Sequence, residues 1–127
     1  MPLYHLTQEA QSDLIEIRRY TVQQWGDVQS KKYLSELEQT IQLLATNPRL
    51  GRLKPDVGSN VMSFPHASHV IYYVTNEPQL IVFGVLHKSM VPFNHLGDRE
   101  MISWKHDFIF SKVHRLSVSI FSFSVGD

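Results

Sequence analysis

No cysteine occurs among the 127 residues, and neither sign of charge is in excess, with 12 Lys+Arg facing 12 Asp+Glu. Without cysteine there is no disulfide, no thiolate nucleophile and no Cys-ligated zinc, which suits a reducing compartment. Without surplus positive charge there is no broad basic surface to neutralise phosphates, so direct sequence-specific nucleic-acid binding is not expected. Long apolar runs are also missing. The opening Met1-Pro2-Leu3-Tyr4-His5 lacks a basic region ahead of an apolar core, and the next segment is amphipathic. Neither a signal peptide nor a membrane span is read, and a cytoplasmic protein is expected. What is present is 43% hydrophobic residues, enough for one domain that buries about two-thirds of its unfolded surface.

Thr7 can cap a helix, with Glu9 in the first turn where the dipole favours an acid. Ala10, Leu14, Ile17 and Thr21 then recur at helical spacing, with Trp25 continuing the stripe. Gly26 should end this helix and Asp27 should cap the next, whose stripe is Tyr33, Leu34, Leu37, Ile41 and Leu44. So short a joint requires an antiparallel helical hairpin. Trp25 and Tyr33 are expected to close its core. Asn47-Pro48 stops the second helix, because a residue before proline is pushed out of the α region.

Pro48, Gly51, Pro55 and Gly58 mark a loop, made locally basic by Arg49, Arg52 and Lys54. The period then changes to two over Val61 to Phe64, His69 to Thr75 and Leu80 to Leu86, predicting three antiparallel strands. With the segment Leu3 to Leu6 added, the expected fold is α+β, a small antiparallel-rich sheet packed on the helical hairpin in the order β-α-α-β-β-β. Residues 1–97 are read as the domain. Residues 98–127 are read as an atypical C-terminal extension, non-native or partly disordered, although Leu116 to Val125 alternates as a strand does.

If the last two strands pair as a simple hairpin, Ile71, Tyr73, Ile81, Phe83 and Val85 share one face, with His69 and His87 at its ends. A two-helix layer covers one face only, so this one should stay open for another polypeptide, the extension or a second copy of the chain, as a homodimer.

An ordered series of short motifs carries a resemblance. It begins with Leu6-Thr7, Ala10, Asp13-Leu14-x-x-Ile17, Tyr20-Thr21 and Trp25-Gly26, and continues with Tyr33-Leu34 and Leu44-Ala45-x-Asn47-Pro48-x-Leu50-Gly51. Ser63-Phe64-Pro65, His69-Val70-Ile71-x-Tyr73 and Val85-Leu86-His87-Lys88-Ser89-Met90 complete it. The series resembles the ParE-type toxins of bacterial toxin–antitoxin modules, within the RelE/ParE superfamily. The resemblance implies a sheet packed on a helical hairpin, a cognate antitoxin that wraps the toxin, and poisoning of DNA gyrase that blocks replication. The chain departs from the pattern at Ala67, where a glycine is usual, at Met62, where arginine is frequent, and at Val91, where an acid is frequent ahead of Pro92.

The rival activity is that of RelE-type relatives, ribosome-dependent mRNA cleavage, which needs a base, an acid and cations around the phosphorane. Tyr72, Tyr73, His69 and His87 could supply the first two, but no Lys or Arg lies between Met62 and Leu86. His66, His69 and His87 lack a convergent acidic ligand, so no metal is expected. Ser63, Ser68 and Ser89 lack a nucleophile elbow. The reading is a binder without catalytic residues or cofactor. Arg52, Lys54, His87, Lys88 and Met90 are the candidate gyrase contacts, and His69, Ile71, Tyr73, Ile81, Phe83 and Val85 the candidate antitoxin contacts. An inactive antitoxin-binding protein is the remaining alternative.

Overall fold

A computed structural model describes residues 3–97 and Arg99; the extension's strand-like stretch lies outside the described residues. The chain runs β1 (Leu3–Leu6), α1 (Gln8–Trp25), α2 (Asp27–Thr46), a 3-10 turn (Pro48–Leu50), β2 (Arg52–Leu53), β3 (Met62–His66), β4 (His69–Asn76), β5 (Gln79–His87) and α3 (Pro92–Leu96). The sheet order is β1-β5-β4-β3-β2, with β1 parallel to β5 and the other pairs antiparallel. The expected α+β architecture is found, extended by β2 and α3.

Local chemistry sets the helix ends. The Thr7 hydroxyl accepts a hydrogen bond from the Ala10 N–H at 3.2 Å, as a capping residue should. Gly26, not Asp27, joins the two helices. Its φ of 87° is glycine territory, its N–H closes α1 onto the Val22 carbonyl, and its carbonyl starts α2 by accepting from Ser30. Asp27 is the first helical residue, beside the positive end of the dipole. Inside the hairpin, Thr21 donates to the Ile17 carbonyl at 2.7 Å, which leaves its oxygen to accept from Ser30 at 2.7 Å. That pairing lets two hydroxyls lie buried between the helices.

The stripes Leu14, Ile17 and Leu34, Leu37, Ile41, Leu44 pack on the sheet residues Tyr4, Leu6, Ile71, Tyr73, Leu80, Val82 and Val85. Tyr73 fixes the loop ahead of β2. Its hydroxyl donates to the Pro48 carbonyl at 2.7 Å and accepts from the Gly51 N–H at 3.0 Å. A Cβ on Gly51 would meet that oxygen at 2.2 Å, which is why Pro48-x-Leu50-Gly51 must end in glycine.

The face assignment expected for β4 and β5 is overturned. Tyr72 pairs with Gly84 but Tyr73 pairs with Val82, so Phe83 is an extra, bulged residue and the phase of β5 flips there. His69, Ile71, Tyr73 and Val85 consequently lie on the helix-covered face, whereas Ile81 and Phe83 lie on the other. That second face is not open either. Val61, Tyr72, Val74, Ile81, Phe83, Leu86 and Leu96 form a second buried cluster, closed in part by Leu96 from α3. Trp25, expected in the core, is half-exposed at the hairpin tip, in edge contact with Tyr33.

Candidate functional site

Beyond Leu6 the parallel partner of β5 stops, and α1, the end of β5 and α3 enclose a cleft of about 450 Å³. Ile17, Val85, Leu86 and Met90 supply its apolar lining; Asp13, Glu16, Tyr20, His69, His87, His95 and Arg99 supply the polar part. Among the described residues, Arg99 is the one permanent cation on this wall, and it is engaged. Its Nη1 and Nη2 lie 2.7 and 3.2 Å from the two carboxylate oxygens of Asp13.

One end of the cleft is an aromatic cluster drawn from four elements. The Tyr33 oxygen of α2 lies 2.6 Å from His69 Nδ1 and 3.3 Å from the His66 carbonyl. Both contacts are satisfied when His69 Nδ1–H donates to Tyr33 and Tyr33 donates to the carbonyl. His66 is held through Nδ1 by the Thr40 hydroxyl at 2.9 Å. The His69 and His87 rings meet edge to face with centroids 5.6 Å apart. Burial, then the neighbouring His87 and His66, push His69 down to about 4, so it is neutral at physiological pH. Burial raises the Tyr33 hydroxyl above its ordinary value. Neither group is poised to give up a proton near neutral pH.

His87 shapes the exit from the sheet. Its Nδ1 accepts from the Ser89 N–H at 3.1 Å and lies 2.8 Å from the Ser89 hydroxyl, while the Met90 N–H returns to the His87 carbonyl at 2.9 Å. The Lys88 N–H donates to the Ser68 carbonyl, anchoring the turn to the β3–β4 hairpin. Lys88 and Met90 are thereby displayed at the surface.

His87, Lys88 and Met90 are thus brought together. Arg52 and Lys54 are not with them. They belong to β2 and the loop after it, with β4 and β3 between them and β5, and Lys54 lies 3.8 Å from Asp56. Of the six candidate antitoxin contacts, only His69 and Val85 line the cleft. Ile71, Tyr73, Ile81 and Phe83 are fully buried, so they offer no ready-made surface. Sequence reasoning missed Asp13, Tyr33 and Arg99 as site residues. Asp13 was visible only as part of a motif, because its partners stand 72 and 86 residues away.

A family model for the ParE toxin of the type II toxin–antitoxin system, parDE, matches residues 4–92. Toxin ParE1 of Caulobacter vibrioides is 33% identical over 97 residues, covering 76% of this chain and 100% of its own length. Toxin ParE1 of Mycobacterium tuberculosis is 38% identical over 88 residues, 68% of this chain and 90% of the relative. A solved structure titled "Chromosomal ParDE TA system from P. aeruginosa" shares the fold with a TM-score of 0.60 at 15% identity, covering 68% of this chain and 96% of that one. Fold and comparisons together define a toxin of the RelE/ParE superfamily. Within it, the chain belongs to the ParE toxin family of type II toxin–antitoxin systems.

Proposed function

We propose that this toxin acts by binding DNA gyrase, performs no bond-breaking chemistry of its own, and is neutralised by a cognate antitoxin. The observation that carries the reading is that, among the described residues, the cleft lining that holds His69 and His87 has no unengaged Lys or Arg. Stabilising a phosphorane needs positive charge aimed at it, yet Arg99 is committed to Asp13 and the neighbouring imidazole of His69 is held neutral. The surface offered instead is the turn Lys88–Met90, in which a cation and a flexible thioether stand exposed on a rigid support. Arg52 and Lys54 form a separate basic patch, a second contact if gyrase spans the sheet. In this reading the antitoxin lies along the cleft, over Ile17, Tyr20 and Met90, rather than on the buried sheet faces.

Purified gyrase supplied with the full chain should lose supercoiling activity and accumulate cleaved DNA, while a translating extract keeps its messages intact. Lys88→Ala and Met90→Ala should each weaken gyrase inhibition by about tenfold, corresponding to ~1.4 kcal/mol, with unchanged melting because both side chains are exposed. Messages cut in translating ribosomes, with gyrase unaffected, would replace this reading with the endonuclease.

A further inference from the structure

The cleft contains a more specific feature. β1 ends at Leu6, whose partner is Val82, so among the described residues the edge of β5 away from β4 has no strand beside it from Phe83 onward. Two backbone groups of β5 are nevertheless satisfied by side chains there. The Val85 N–H donates to Asp13 Oδ2 at 2.9 Å, and Arg99 Nη1 donates to the Phe83 carbonyl at 3.1 Å. Asp13 and Arg99 close on each other through two nitrogens and two oxygens, with only 15% and 16% of their side chains exposed. Together they replace the missing stretch of β1.

We propose that this edge is a guanidinium-binding notch, formed by both oxygens of Asp13 and the Phe83 carbonyl, which Arg99 fills in cis and which a guanidinium supplied from outside the chain occupies when Arg99 is withdrawn. The acceptors select for that group. A guanidinium presents a planar fork of donors that can meet a carboxylate at two points and still reach a carbonyl, whereas an ammonium is a point charge that cannot do both. Asp13 is itself held by the Val85 N–H, so the acceptors stay in place when the cation leaves. The notch opens on the cleft, since Asp13 and Arg99 both line it, which gives an incoming guanidinium its path.

Occupancy reaches beyond the notch. The Arg99 N–H donates to the Leu96 carbonyl at 3.1 Å, and Leu96 lies over Gly84, where an added Cβ would sit 2.6 Å from Leu96 Cδ2. Arg99 thus holds α3 against the bulged strand and Leu96 over Ile81 and Phe83. Withdrawal of Arg99 frees that tether. The inference does not depend on gyrase or on the antitoxin.

The test is thermal unfolding of the full chain and of Arg99→Ala with millimolar N-ethylguanidinium or N-ethylammonium at matched ionic strength. Arg99→Ala should melt lower by about 5 °C or more, and N-ethylguanidinium, not N-ethylammonium, should restore part of the loss. The unaltered chain and the double variant Asp13→Asn with Arg99→Ala should show no such preference. Arg99→Gln, which keeps much of the side-chain length and loses the cation, serves as the folded variant if the alanine form is too unstable, and should show the same rescue. Equal responses to the two cations, or a guanidinium preference that survives loss of the Asp13 carboxylate, would overturn the proposal.

Discussion

His69 shows how one side chain is changed by the company it keeps. In an unfolded chain its pKa is near 6.5, and in the fold burial and two neighbouring imidazoles hold it at about 4. Between those values the unfolded state binds more protons, so stability is fully present above about pH 6.5 and falls as the pH drops toward 4. The loss should be on the order of 2 kcal/mol once the solvent that still reaches the ring is allowed for. Urea unfolding followed from about pH 7 to about pH 4 measures it. His69→Gln should flatten the curve across that range; an unchanged slope would assign the acid sensitivity to other groups. None of this is legible from the sequence, whose alternation puts His69 at the rim of an open face. Tyr33, which holds the ring, lies 36 residues away on another element. A residue's titration depends on such partners, and local pattern does not encode them.

Elements were more legible, because their signals are local. The stripes Ala10 to Thr21 and Leu34 to Leu44, the Thr7 cap and the stop at Asn47-Pro48 all depend on residues within a turn or two of each other, and each lies where the spacing puts it, whereas Trp25 falls outside the core. The bulge was not legible. Phe83 is an ordinary strand residue, and the side chains that meet the backbone around the bulge come from α1 and from beyond α3, far away in sequence. The β3–β4 turn lies between these cases. Ala67 stands where the family resemblance led to glycine, and the structure gives it a φ of 51°. A left-handed alanine is strained by roughly 1–2 kcal/mol, while glycine would add freedom to the unfolded chain. Ala67→Gly should therefore stabilise the protein by a net of roughly 0.5–1 kcal/mol, read as a higher urea midpoint. A lower midpoint would mean that the hairpin draws something else from the methyl group.

At the scale of the whole molecule, the sheet residues Ile71, Tyr73, Ile81 and Phe83 are buried. Tyr20 on α1 and Met90 after β5 are exposed apolar side chains that line the cleft. Arg99 lines that cleft, and self-inhibition by the extension that follows it in sequence is a proposal that truncation can test. The end point matters. A chain stopped at residue 97 removes Arg99 as well as the extension, and so leaves Asp13 as a largely buried carboxylate without its cation, a change that should cost about 3 kcal/mol. Its toxicity would report folding and exposure together. A chain stopped at residue 99 keeps the bidentate pair and the hold on Leu96. If the extension obstructs the toxin, the 1–99 chain should keep the melting temperature of its core and inhibit growth more strongly than the full chain. The 1–97 chain should melt several degrees lower whatever its toxicity. Equal growth inhibition by the 1–99 and full chains would remove the extension from the mechanism and leave the cleft, with its own Arg99, as the feature that decides what the toxin accepts.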